Sequence, residues 1–588
     1  MLIFEKNFEK ELSREDKTMN KGPVAPKDPT VKRPFFYIMQ DKEIYGAKLP
    51  NNTGVQFIYQ NDNRLINSAR IAGNVTDEEI LQLLKTTEGF RKLVYAIGVS
   101  VVEETATEQV RFVYQMYGHK DTYGSGSNLT IDMIADGMEN LIYLDDIEWS
   151  NDDKEPGQIR FEFANADVQA SANVRFYLRD GFEAPEVIED EEIDVESADY
   201  KKMIEKSLMQ LGNTERLRRA IEKAKKGEDV TIAFIGGSIT QGAGAIPLPT
   251  QCYAYRTYQS FKKLFGTGDN VHFVKAGVGG TPSQLGVIRF ERDILRDGTV
   301  EPDIVVVEFA VNDEGDETKG VCYESLVRKI LALPNEPAAV LLFAVFAYDW
   351  NLQDRLGPVG KKLDLPMVSI LDAVVEQFRL RKGEGRVLSK NQFFYDIYHP
   401  SNAGHRIMEE CLMYMFEQAA KQELMEDETV KLMEQDTVYG SVFEKIKLLD
   451  RKDAGPLLRL EEGSFCAIDE HLQGVEMDDK PDMVPQFPYN WYRIGAVEGK
   501  KDYFEMEIQC KALMLVYKDS GALNVGKADV FVDDKHVLIA DPHKNGWVHC
   551  NPVILFNEPE NKAHTVRIQM AQDDEDKEFT ILGFGYVE

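Results

Sequence analysis

Only nine of the 588 residues are histidines, and one of them, His399, stands three residues after an aspartate in DIYHPSNAGH. In a loop this spacing lets the Asp396 carboxylate reach Nδ1 while Nε2 faces outward, the arrangement a general base needs. Ser238 lies in IGGSITQGAG, where the preceding glycines allow a sharp turn and leave the hydroxyl uncovered. A serine beside such a base is the nucleophile of acyl transfer. The plain alternative is a turn serine, and a rival base is His405, which lacks an aspartate at short spacing and reads as a capping or packing residue. Acyl transfer also needs donors aimed at an oxyanion. Two segments offer them: KAGVGGTPS through its backbone amides, and VEFAVND through Asn312. Each, read alone, is also a common way for a strand to end.

These residues need a scaffold that brings them to one edge. Between about 200 and 425, apolar runs (DVTIAFIGG, NVHFVKAG, DIVVVEFAVND, AAVLLFAVFAY, LPMVSI) alternate with amphipathic helical segments. Strands apolar on both faces predict a parallel sheet covered on each side. Ser238 and Asn312 then fall at the carboxyl edge, where open α/β sheets bind ligands. Residues 31–190 carry short alternating, aromatic-rich runs (VQFIY, QVRFVYQMY, QIRFEFA, NVRFYL) and read as an N-terminal β-sandwich of carbohydrate-binding-like type, with one helix at EEILQLLKTTEGF. Residues 1–30 read as a disordered tail. The carboxylate-rich EAPEVIEDEEIDVESAD reads as an extended, solvated connector. The α/β unit is bounded at 196–430, and 436–588 reads as a second sandwich of jelly-roll type.

The ordered set strand–GGS, strand–GVGGT, strand–AVND and late D-x-x-H-P resembles the blocks of the SGNH (GDSL-type) hydrolase family over about residues 230 to 420. The resemblance implies a flavodoxin-like three-layer fold with Ser238 as nucleophile, His399 as general base and Asp396 as its partner. It implies an oxyanion hole from the Ser238 and Gly280 N–H groups and the Asn312 amide. Two positions depart from the family pattern: the usual Gly-Asp-Ser reads Gly236-Gly237-Ser238, and the asparagine that often opens the second block is Lys275. The wording GGSIT, GVGGTPS and VEFAVND looks most like the branch that contains bacterial carbohydrate acetylesterases. It implies a serine esterase that removes O-acetyl groups from oligosaccharides, without cofactor or metal. The alternatives are a lipase or thioesterase on the same residues, or an inactive glycan-binding protein.

Further residues are candidate substrate contacts. Arg289 and Asp293, spaced i,i+4, form either a substrate-orienting pair or a helical surface ion pair. In DPHKNGWVHCNP, Trp547 offers a stacking face for a sugar or else plugs the sandwich, the neighbouring His543 and His549 could contact hydroxyls, and the loop is expected to reach the sheet edge that carries Ser238. Composition narrows the partners. With 68 Lys+Arg against 100 Asp+Glu, the net charge of −32 disfavours nucleic acid and anionic membrane surfaces. The longest apolar run, Ala338 to Tyr348, falls short of the roughly 20 residues that span a bilayer. The N-terminus shows no basic stretch followed by an apolar core, so the expected location is cytoplasmic. The six scattered cysteines suit reduced thiols there. The expected partner is an acetylated sugar or oligosaccharide, and a homo-oligomer is compatible with this reading.

Overall fold

The computed structural model describes residues 33–588 apart from 50–53, 61–64, 188, 189, 424, 454 and 456. The tail expected over residues 1–30 lies outside the described residues. From residue 35 the alternating runs form two antiparallel sheets. One pairs the strands Phe35–Tyr45, Gln169–Leu178, Val94–Val102 and Asn140–Tyr143 in that order. The other orders Ala47–Lys48, Val55–Gln60, Asp153–Phe163, Gln109–Gly118 and Asn128–Ile134. In Gln169–Leu178 every second residue is buried, the period-two signature of a strand with one face inward. Phe36, Val174 and Phe176 of the first sheet meet Phe112, Tyr114 and Phe161 of the second in one apolar core. The single helix expected over EEILQLLKTTEGF is two, Glu78–Leu83 and Thr87–Leu93, because the Thr86 hydroxyl accepts from the Gly89 N–H and starts a new helix.

The connector is not freely solvated. Asp190 accepts from the Ser389 hydroxyl at 2.8 Å, and Gln392 donates to the Glu191 carbonyl at 2.6 Å. Neighbouring donors of the middle domain thus satisfy a stretch whose charge density alone predicts extension into water.

The middle domain is a three-layer α/β fold. Its sheet runs Leu208–Gln210, Met367–Ser369, Ala338–Phe343, Ile304–Glu308, Val230–Gly236 and Val271–Gly277. All neighbours are parallel except the first pair. Without the antiparallel edge strand, the order is 2-1-3-4-5, and it reverses between Val230–Gly236 and Ile304–Glu308. Ile232, Phe234 and Leu342 pack on the Asn402–Ala420 helix through Met408 and Leu412. Ala233, Val305 and Leu341 pack on the other side with Leu285 and Leu326.

The C-terminal domain hangs on two long paired strands, Tyr503–Asp519 and His549–Met570. A bulge between Cys510 and Ala512 divides the first of them. Its Leu457–Glu461 partner binds one half and its Phe579–Val587 partner the other, so the long strands are shared by two layers. The layers meet where Phe504 stacks on Phe584 with centroids 5.9 Å apart, beside buried Trp491. Alternation serves two cores at once along this strand. Leu513, Leu515 and Tyr517 face the sandwich interior, while Ala512, Met514 and Val516 join Leu285 and Ile288 in the core beneath the α/β sheet. The C-terminal domain is therefore bonded to the middle one by shared apolar burial. Met514→Ala is expected to cost about 2–5 kcal/mol and to lower the melting temperature of the middle domain as well as its own. A middle-domain transition unmoved in calorimetry would contradict the shared core.

Candidate active site

The reversal of strand order leaves a crevice at the carboxyl ends of Val230–Gly236 and Ile304–Glu308, and the short helix Ser238–Gln241 begins there. Gly237 stands where its own side chain would have no room: a Cβ there would fall 2.0 Å from Asn312 Oδ1. The Asn312 side chain, arriving from the turn after the next strand, occupies the space beside Gly237. Beneath the turn lies Glu308, 0% exposed, whose Oε2 accepts from the Thr240 hydroxyl at 3.2 Å. Its Oε1 is buried with no hydrogen-bond partner among the described residues. Burial pushes this carboxyl up to about 7, against the opposing pull of the Thr240 hydroxyl and the Gly237 N–H.

Asp396 shapes the loop that faces Ser238. Its Oδ1 accepts from the Tyr398 and His399 N–H groups at 2.7 and 2.9 Å, which folds the chain tightly back on itself. Its Oδ2 lies 2.8 Å from His399 Nδ1. The Tyr395 N–H to His399 carbonyl bond at 2.9 Å and the Ser401 N–H to Phe393 carbonyl bond at 2.8 Å close the loop. A carboxylate only accepts, so Nδ1 carries the proton and Nε2 presents its lone pair. Ser238 Oγ is 2.9 Å from that Nε2. The arrangement can therefore pass the hydroxyl proton to the imidazole while the carboxylate steadies the resulting charge. His405 is no rival. It is fully buried, its Nδ1 accepts from the Tyr253 N–H at 3.1 Å, and burial holds it down to about 3.

The glycine loop is fixed from three directions. Asp313 accepts from the Ser283 N–H and hydroxyl at 2.7 and 2.8 Å, which ties the loop to the Asn312 turn. Gln241, one helical turn past Ser238, accepts the Gly279 N–H at 3.1 Å and is itself held by Lys275 through its carbonyl at 2.7 Å. The C-terminal domain supplies the third hold: Gln473 donates to the Gly279 carbonyl at 2.9 Å and His549 Nε2 to the Gly280 carbonyl at 3.0 Å. In a trans peptide the N–H points opposite the preceding carbonyl, so the Gly280 N–H faces away from Gln473. Gly280 has φ +72°, and a Cβ there would come within 2.9 Å of Trp547 and 3.0 Å of His549. Burial holds the His549 imidazole below its ordinary value, against the opposing pull of the Gly280 carbonyl and the Asn551 side chain.

The structure thus brings Ser238, Asp396, His399, Gly280, Asn312 and Trp547 to one edge. Trp547 is 45% exposed and does not plug the sandwich, since that place belongs to Trp491. Two expected contacts fail. Arg289 is 0% exposed and donates to the Gly236 carbonyl at 2.9 Å, the Ala276 carbonyl at 2.8 Å and Asp293 at 3.1 Å. It knits two strand ends from below and is neither a substrate contact nor a surface ion pair. His543 is held to its own domain by the Ala522 carbonyl at 3.1 Å and by Asp541, so the ring that reaches the site is His549. Glu308 announces itself as the only charge in the apolar strand IVVVE. Gln473 has no local signal.

Glu308 yields a pH test. A carboxyl raised in the folded state contributes stability that is fully present below about pH 4.5 and lost as pH rises through about 7. Glu308→Gln removes that dependence, so its stability relative to the native chain is expected to rise by about 3 kcal/mol between pH 4.5 and 8 in denaturant titrations. Parallel curves for the two proteins would contradict it.

Residues 234–407 match the GDSL-like Lipase/Acylhydrolase family. No curated protein sequence matches the chain. Among solved structures, the chain is similar to a two-domain esterase active on acetylated mannans, with 25% identity and a TM-score of 0.52 over 66% of this chain and 99% of that one. The same esterase co-crystallised with mannopentaose gives 25% identity and a TM-score of 0.53 over 66% and 98%. The middle domain of this chain is a GDSL-like lipase/acylhydrolase domain of the SGNH type, and the protein is a carboxylic ester hydrolase.

Proposed function

We propose that the protein is a serine esterase that removes O-acetyl groups from acetylated oligosaccharides through an acyl-enzyme. The observation that carries this reading is the continuous relay from Ser238 Oγ to His399 Nε2 at 2.9 Å and from His399 Nδ1 to Asp396 at 2.8 Å. In the first half-reaction Ser238 Oγ attacks the acetyl carbonyl as His399 takes its proton. The negative charge that forms on the carbonyl oxygen meets the Ser238 and Gly280 N–H groups and the Asn312 amide. Collapse breaks the ester bond, and His399 returns the proton to the departing sugar hydroxyl. A water molecule, deprotonated by the same imidazole, then attacks the acetyl-serine and releases acetate.

Two features favour a sugar over a long acyl chain. Trp547 offers a half-exposed indole beside Gly280, suited to stacking on a sugar face. The similar two-domain esterase acts on acetylated mannans. The reading is tested by measuring acetate release from acetylated manno-oligosaccharides beside hydrolysis of p-nitrophenyl esters. Acetyl esters are expected to exceed octanoyl esters by at least about tenfold, since a pocket fitted to a methyl group rejects longer chains. Ser238→Ala is expected to lower turnover by about 10³-fold or more. Equal rates on octanoyl esters would instead favour the lipase or thioesterase reading. Trp547→Ala is expected to reduce the oligosaccharide rate more than the aryl acetate rate, and an equal loss on both would remove the stacking role.

A further inference from the structure

The strand Phe35–Tyr45 of the N-terminal sandwich lies against the loop that carries Asp396 and His399. Lys42 on this strand is 4% exposed, and its ammonium donates to the carbonyls of Asn391 at 2.6 Å and Phe394 at 2.7 Å. Its neighbours on the strand reach the same segment: Asn391 donates to the Gln40 carbonyl at 3.4 Å, and the Glu43 carboxylate accepts from the Asn402 side chain. Asn402 in turn bonds the N–H and the carbonyl of Ile246, both at 2.7 Å. Between these two fastenings Tyr395 enters the core of the sandwich, with its ring 5.4 Å from Tyr59 and 6.3 Å from Phe57. Asp396 is the next residue. A domain distant in sequence therefore grips both ends of the segment on which the relay depends.

A buried ammonium is costly unless it meets acceptors and opposite charge. Lys42 has both. Asp396 from the loop, Asp190 from the connector and Asp41 from its own strand act on it, and Arg386 stands 3.7 Å from Asp190. Lys390, on the adjoining helix, is directed to the Ala347 carbonyl and Asp349. Tyr59 and Tyr395 are kept as neutral phenols by burial. Methionine would fill the same space without a charge, so the amine marks a demand of the loop rather than of the core.

We propose that Lys42 is a positioning residue for ester hydrolysis: its protonated side chain fixes the Asn391–Asn402 segment so that Asp396 aims His399 at Ser238. The proposal rests on the serine mechanism above. Burial, stronger than the three carboxylates together, lowers Lys42 to about 8, so the charged clamp is present at neutral pH and is lost as pH rises through about 8.

The test is the second-order rate at which a small fluorophosphonate labels Ser238, followed against pH, together with kcat and KM for p-nitrophenyl acetate. In the native chain, labelling is expected to fall above about pH 8 while circular dichroism stays unchanged. Lys42→Met is expected to lower labelling and kcat by about 10- to 100-fold with KM nearly constant, because misaimed groups lose rate rather than binding. Lys42→Arg, which keeps its charge, is expected to recover most of the rate and to abolish the alkaline fall. Native labelling that is flat from pH 7 to 9.5 overturns the proposal. So does a Lys42→Met protein labelled at the native rate, or an alkaline fall that persists in Lys42→Arg. If Lys42→Met does not fold, the native profile and the arginine variant decide. Absence of Ser238 labelling in the native chain at every pH would remove the serine mechanism itself, a result distinct from the other three.

Discussion

A serine hydroxyl becomes a nucleophile at neutral pH only where an imidazole lone pair stands in line with its proton, and a hydrogen-bond length leaves little tolerance for error. Here the two groups come from segments 161 residues apart and meet at 2.9 Å. Several features of the site fix one end of that contact. Ser238 is set by a turn whose Gly237 leaves room for the Asn312 side chain, and by a short helix whose last carbonyl is held by Lys275. His399 is set by one carboxylate that accepts from its ring, its own N–H and that of Tyr398.

The three domains divide this task. The α/β sheet supplies the crevice at its switch in strand order. The C-terminal sandwich extends the core beneath the sheet through Met514 and Val516, and from that fixed base sends Gln473 and His549 to the two carbonyls of the glycine loop. The N-terminal sandwich grips the segment around Asp396 through Lys42, Glu43 and the pocket for Tyr395. Rigidity at the site is thus a property of the whole chain. Glu308, like Lys275, departs from apolar burial in the sheet: its carboxyl under the nucleophile turn has one oxygen bonded to Thr240 and the other without a hydrogen-bond partner among the described residues.

Much of the site was legible in sequence because its parts are local motifs at strand ends. Asp396 and His399 are three residues apart, so one loop can join them; Ser238 and Asn312 each follow an apolar run, and a parallel sheet aligns such ends. The parallel sheet itself was legible from runs apolar on both faces. Arg289 was not. An i,i+4 ion pair reads as surface, and only the packing of its helix under the sheet, with Leu285 and Ile288 as neighbours, makes it internal. His549 and Lys42 act across 269 and 352 residues, and no periodicity encodes where one domain touches another. His543 and His549 share a loop, and only the packing of the domains decides that His549 is the ring that faces the glycine loop. The helix expected from Glu78 to Phe90 failed locally, because a threonine cap outweighed the apolar period.

The most direct measurement of the central claim is mass spectrometry of the protein quenched within milliseconds of mixing with an acetyl ester. Covalent catalysis at Ser238 predicts an acetyl group on the peptide that contains Ser238, formed before steady-state acetate release and absent from a folded His399→Ala protein. Full steady-state turnover with that peptide unmodified at every quench time, and with a folded Ser238→Ala protein equally active, would contradict it.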